Sequence, residues 1–98
     1  MVEKAYSQNR RSCRVTFELP ADVGAERVYL CGEFNGWSQT AQPMKRQQDG
    51  GFVLTISLKP GREYRFRYLL DGERWENDEQ ADAYVPNPYG SKDSVVKV

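Results

Sequence analysis

Apolar and polar residues alternate with a period of two along most of this chain, and the helical period of 3.6 is hard to find anywhere. Cys13, Val15, Phe17 and Leu19 alternate with Arg14, Thr16 and Glu18, the mark of a half-buried strand, which Pro20, Asp22 and Gly24 then break. Val28, Leu30 and Gly32 share one face of a second strand, with Tyr29 and Cys31 on the other. That phase turns Cys13 inward and Cys31 outward, which argues against a disulfide between them.

Phe34-Asn35-Gly36-Trp37 follows as a turn, and residues 44–46 read as a short edge strand ended by Asp49-Gly50-Gly51. Phe52, Leu54, Ile56 and Leu58 alternate with Val53, Thr55 and Ser57 in the clearest strand of the chain. After Pro60-Gly61, Tyr64, Phe66, Tyr68 and Leu70 alternate with Arg65, Arg67 and Leu69, and Asp71-Gly72 marks a hairpin tip with Trp75 on the returning strand. Residues 76–93 are a long polar stretch, and 95–98 close as a last strand. Short strands with turn signals about every 8 to 12 residues predict an all-β fold, an immunoglobulin-like antiparallel β-sandwich of about seven strands, with Greek-key order as the default.

Ninety-eight residues hold one core and leave no room for a second. The expected organisation is a flexible N-terminal segment over 1–11 and a single domain over 12–98. Met1 at the start and the end at Val98 suggest a whole chain rather than a fragment of an enzyme. Lys+Arg and Asp+Glu are equal at 14 each. That balance speaks against a nucleic-acid partner, which calls for a basic excess, and suits a neutral ligand. No stretch approaches the roughly 18 to 20 apolar residues that span a bilayer, so no membrane partner is expected. The polar start lacks the apolar run of a secretory signal, and two cysteines are too few for a disulfide scaffold, so the expected location is cytoplasmic.

The chemistry of catalysis is missing. The chain has no histidine, which removes the commonest general base and metal ligand and with them the serine–histidine and cysteine–histidine nucleophiles. No carboxylate lies in an apolar run that would raise its pKa for glycoside hydrolysis. Glu76, Asp78, Glu79 and Asp82 lack the order of a calcium loop and read as a solvated loop. Neither a metal nor a cofactor is expected.

Aromatic residues remain. Trp37 follows a turn, Trp75 follows a hairpin tip, and Tyr89 lies between Pro88 and Gly90. Indole faces stack on the C–H faces of sugar rings, but sandwiches of this kind also bury tryptophan in the core, and position alone leaves both readings open. The hairpin decides for Trp75. An even turn of Asp71-Gly72 puts it across from Tyr68 on the core face. An odd loop of Leu70-Asp71-Gly72, with Gly72 in a left-handed bulge, puts it opposite Arg67 on the exposed face. Glycine at the third loop position favours the odd loop.

Val28-Tyr-Leu-Cys-Gly-Glu-Phe-Asn-Gly-Trp37, Tyr64-Arg-Phe-Arg-Tyr-Leu-Leu-Asp-Gly-Glu-Arg-Trp75 and Tyr89-Gly-Ser-Lys-Asp-Ser-Val-Val-Lys-Val98 together resemble one family. It is the glycogen-binding module of the AMP-activated protein kinase beta subunit, similar also to the N-terminal early set domains of isoamylases, pullulanases and branching enzymes. The resemblance runs from about Ser12 to Val98 and implies a sandwich without catalytic activity that binds α-glucan. It implies that Trp37 and Trp75 stack on glucose rings. Arg67 stands at a sugar-binding lysine, Tyr89 at a leucine that reaches through the sugar chain, Ser91 at a threonine and Asp93 at a sugar-binding asparagine. A protein partner, such as a glycogen-metabolising enzyme, is a further expectation. The competing reading is a protein-interaction module on the same fold that has lost the sugar, whose mark would be an exposed apolar patch or sheet edge.

Overall fold

In the computed structural model, which describes residues 2–98, nine strands form two antiparallel sheets. The first sheet has the order β1 (Val2–Tyr6), β2 (Cys13–Leu19), β5 (Phe52–Leu58), β4 (Lys45–Arg46). The second runs β3 (Val28–Gly32), β6 (Glu63–Leu70), β9 (Lys92–Lys97), β8 (Ala83–Pro86), with β7 (Arg74–Glu76) also paired to β6. The period-two pattern is the reason. Val15, Phe17, Leu30, Phe66, Tyr68 and Val96 point between the sheets and are buried. Each such side chain stabilises the fold by roughly 1.5–3 kcal/mol. Phe66 meets Phe17 edge-on at 5.0 Å and Tyr68 at 5.7 Å, so the aromatic rings tie the two layers together.

The expected β-sandwich is present, with nine strands among the described residues instead of about seven. The additions are β1 and β8. Residues 1–11 were expected to be flexible; Met1 lies outside the described residues, but Val2–Tyr6 pairs in register with β2, Val2 opposite Phe17 and Tyr6 opposite Cys13. Lys4 forms an ion pair of 2.7 Å with Asp82, and the Tyr6 hydroxyl donates to the carbonyl of Val98. Strand β8 lies inside the polar stretch 76–93, and β9 starts at Lys92, three residues before the expected position.

Of the acidic residues expected to be solvated, Glu76, Glu79 and Asp82 are exposed, but Asp78 is not. Asp78 is fully buried. It accepts hydrogen bonds from the Tyr68 hydroxyl at 2.7 Å and from Gln80 N–H at 2.8 Å, and its own N–H donates to Ser94 Oγ at 3.0 Å. Burial first, and then the neighbouring Asp78 carboxylate, hold the Tyr68 phenol well above its usual pKa. Asp82 feels burial raising its pKa, but the bonds from Lys4 and Lys97 outweigh it and the net direction is down. Cys31 lies outside the core cluster, as its phase requires, yet it is sealed from solvent, and burial pushes its thiol up to about 11. Both cysteines are free.

At the tip of the β6–β7 hairpin, the Asp71 carboxylate accepts N–H bonds from Glu26 and Arg27 at 2.9 and 3.0 Å. The bond from Arg27, then that from Glu26, lowers its pKa. A depressed carboxylate contributes stability that is present above its unfolded pKa and is lost as pH falls through the folded value. Asp71→Asn keeps an acceptor and removes the charge. The expected result is a stability deficit against the parent at about pH 6 to 7 that closes as the pH falls below the ordinary Asp pKa of about 4, measured by urea unfolding across pH. A deficit independent of pH would contradict this.

Candidate functional site

The first element of the site is the segment 32–37. Gly32 ends β3 where a Cβ would lie 2.6 Å from the Arg65 carbonyl oxygen and 2.8 Å from the Phe34 ring, so only glycine fits. Phe34 packs on the core beside Phe17 and Tyr64. Asn35 pins the turn with both ends of its amide: Oδ1 accepts from Gly32 N–H at 3.1 Å, and Nδ2 donates to the Leu30 carbonyl at 2.9 Å. Gly36 and then Trp37 take left-handed backbone conformations, φ 65° and 60°. That conformation costs a non-glycine residue roughly 1–2 kcal/mol. It is held by Trp37 N–H donating to the Gly32 carbonyl at 2.8 Å. The Gly-x-Phe-Asn-x-Trp spacing is thus a device for turning one indole out of the sheet.

The second element is the β6–β7 hairpin. Its loop is odd, as expected, but consists of Asp71-Gly72-Glu73, with Leu70 opposite Arg74. Asp71 and Gly72 are both left-handed, and Glu73 N–H donates to the Leu70 carbonyl. Trp75 therefore stands opposite Leu69, not Arg67, two residues along from the expected register and so on the same outward face. The indole is half-buried, and the Arg67 guanidinium carbon lies 5.8 Å from its ring centre.

An open groove of about 840 Å³ brings these elements together, lined by Trp37, Arg67, Trp75, Tyr89 and Asp93 of the expected residues. Ser91 does not line it. Tyr89 is 91% exposed on the rim, whereas Asp93 is only 6% exposed and accepts a 3.0 Å bond from Asn87 Nδ2. Sequence reasoning missed Glu33, Gln39, Arg65 and Asn87, which also line the groove. The Asn87-Pro88 step reads only as a turn signal, and Arg65, two positions before Arg67 on the outward face, is the one with a detectable period. A depression of about 660 Å³ elsewhere is lined by Glu18, Asp22, Asp49 and Glu79 among others and holds no aromatic ring.

Two arginines face two carboxylates in the groove, so its charge is balanced. The carboxylates are engaged: Glu33 Oε1 accepts from Arg65 N–H at 2.7 Å, and Asp93 from Asn87. Arg67 is different. Its Nε is buried with no hydrogen-bond partner among the described residues. A buried donor without an acceptor costs about 1–3 kcal/mol. With that nitrogen closed to solvent, the rest of the guanidinium is what can meet a hydroxyl oxygen in the groove that Arg67 lines. Half-buried indoles, a guanidinium offering a donor and a neutral floor suit a polyhydroxylated, uncharged ring. The large apolar side chains exposed among the described residues are tyrosines, Tyr6, Tyr84 and Tyr89.

Comparison with known proteins gives two relatives and a family. Over 76 residues, 78% of this chain, it is 37% identical to Protein FLOURY ENDOSPERM 6, chloroplastic, of Oryza sativa subsp. japonica, covering 13% of that protein. Over 54 residues, 55% of the chain, it is 41% identical to Protein PTST homolog 2, chloroplastic, of Arabidopsis thaliana, covering 10% of that protein. The chain thus spans about a tenth of the length of these curated relatives. Both names carry a chloroplastic designation, which overturns the cytoplasmic location expected from the polar start and the sparse cysteines. Residues 14–98 match the family described as the glycogen recognition site of AMP-activated protein kinase. The chain belongs to that family, and it is an α-glucan-binding module.

Proposed function

We propose that this module holds a glycogen- or starch-like chain in the groove between Trp37 and Trp75, without catalysing any change in it. The observation that carries this reading is that both indoles line one groove together with Arg67, whose guanidinium carbon lies 5.8 Å from the Trp75 ring centre. Trp37 and Trp75 stack on glucose rings, Arg67 donates to a sugar oxygen, and Tyr89 supplies a third ring at the rim. Asp93 contributes by holding its neighbour Asn87, and Ser91 through its backbone. The carboxylates whose pKa values shift, Asp71 and Asp82, shift downward, the wrong direction for the acid of glycoside hydrolysis. The chloroplastic relatives support a plastid setting, in which the glucan is starch.

Two indoles each covering on the order of 100 Å² contribute roughly 5 kcal/mol before ordering losses. A net Kd of about 0.1 to 1 mM follows. A module this weak serves by multivalency, or by bringing an attached or partner glucan-metabolising enzyme to its substrate. Isothermal titration with maltoheptaose and with β-cyclodextrin tests the reading. Saturable heat is expected in that range, with no reducing ends released from amylose. No heat and no tryptophan fluorescence change at millimolar ligand would overturn it.

A further inference from the structure

Tyr89 is 91% exposed, so its ring is held by no packing of its own, and its place over the groove depends on the backbone that carries it. That backbone is the loop 87–91 between β8 and β9, closed by the pairing of Pro86 with Lys92. Its polar groups converge on one side chain. Asn87 Oδ1 accepts from Tyr89 N–H at 3.0 Å and from Ser91 N–H at 3.1 Å, while Asn87 N–H donates to the Ser91 carbonyl at 2.9 Å. The other end of the amide, Nδ2, donates to Asp93 Oδ1 at 3.0 Å, and Asp93 is itself buried in β9. The chain of contacts therefore runs from a sheet strand, through Asp93 and Asn87, to the loop backbone on both sides of Gly90, which is left-handed at φ 78°.

We propose that Asn87 is a positioning residue for glucan binding: anchored by Asp93, it fixes the loop so that Tyr89 meets the sugar without first being ordered. This rests on the groove reading above. It also assigns Asp93, which the resemblance makes a sugar contact, an indirect part. An unanchored loop pays its ordering entropy at the moment of binding, and affinity falls by that amount.

The test is a double-mutant cycle on the whole chain, read by titration with β-cyclodextrin, together with 15N relaxation of the sugar-free protein. Asn87→Ala is expected to weaken binding about five-fold, the scale of one net buried hydrogen bond. The same change made in a Tyr89→Ala background is expected to have little further effect. The amide NOE values of Tyr89 and Gly90 are expected to fall in Asn87→Ala. Exchanging the pair, Asn87→Asp with Asp93→Asn, keeps one amide donor and one carboxylate acceptor and is expected to restore binding. A full five-fold loss that persists without Tyr89, or unchanged NOE values, would overturn the proposal. A Trp75→Ala control separates the two claims. Undiminished binding there overturns the groove reading, whereas loss there with an unaltered Asn87→Ala overturns only the role of Asn87.

Discussion

Trp75→Ala is expected to weaken maltoheptaose binding about 30-fold, and Trp37→Ala by a similar factor. Each change removes on the order of 100 Å² of stacked apolar surface, less its ordering cost, or roughly 2 kcal/mol. From a starting Kd of about 0.1 to 1 mM, that leaves a Kd of about 3 to 30 mM, so that titration no longer saturates at millimolar ligand. Trp75→Ala has a second consequence, because the Arg67 guanidinium stands over that ring and loses its support. Neither indole belongs to the buried core cluster, so both variants should unfold within a few degrees of the parent. Alanine also keeps the Cβ that Trp37 already carries at φ 60°, so the backbone strain there is unchanged. Either variant binding like the parent would contradict the stacking role. A variant that loses both binding and cooperative unfolding would mean that the indole is structural.

Asp78→Ala is expected to cost about 3 kcal/mol of stability, the largest effect on folding of any change considered. The substitution leaves the fully buried Tyr68 hydroxyl without its 2.7 Å acceptor and frees Gln80 N–H as well. Each stranded donor costs about 1–3 kcal/mol. For a domain of this size the unfolding midpoint should fall by about 15 °C. Thermal unfolding followed by circular dichroism measures it, and a shift under about 4 °C would show that the pair is dispensable. Tyr68→Phe placed on Asp78→Ala removes the stranded hydroxyl and should recover part of the loss, a sign that distinguishes this network from generic loop damage.

The parts of the fold that were legible in the chain are those where alternation is unbroken. Strands β2, β5 and β6 carry apolar residues on one face for six residues or more, the period-two pattern of a half-buried strand. Strand β1 was obscured because Lys4 occupies a core-side position and is tolerated only through Asp82, 78 residues away. Strand β8 was hidden by its length, four residues ending in Pro86. Asp78 shows the limit of reading charge as exposure. Its signal was Tyr68, a tyrosine in the core phase of β6, whose hydroxyl must find an acceptor when buried. The face of Trp75 followed from loop parity alone, yet its cross-strand partner did not, because Glu73 rather than Leu70 completes the loop. Asn87 carried only the turn signal of the Asn87-Pro88 step. Its role exists only where β8 and β9 bring residues 87 and 93 within a hydrogen bond.

The chain contains two tryptophans, so its 1H–15N spectrum holds two indole N–H signals. Adding maltoheptaose should move both, along a single saturation curve with one Kd, because one glucan strand covers both rings at once. If neither signal moves at saturating sugar, or if one moves while the other stays fixed, the two rings do not form a shared floor and the groove between them is not where the glucan sits.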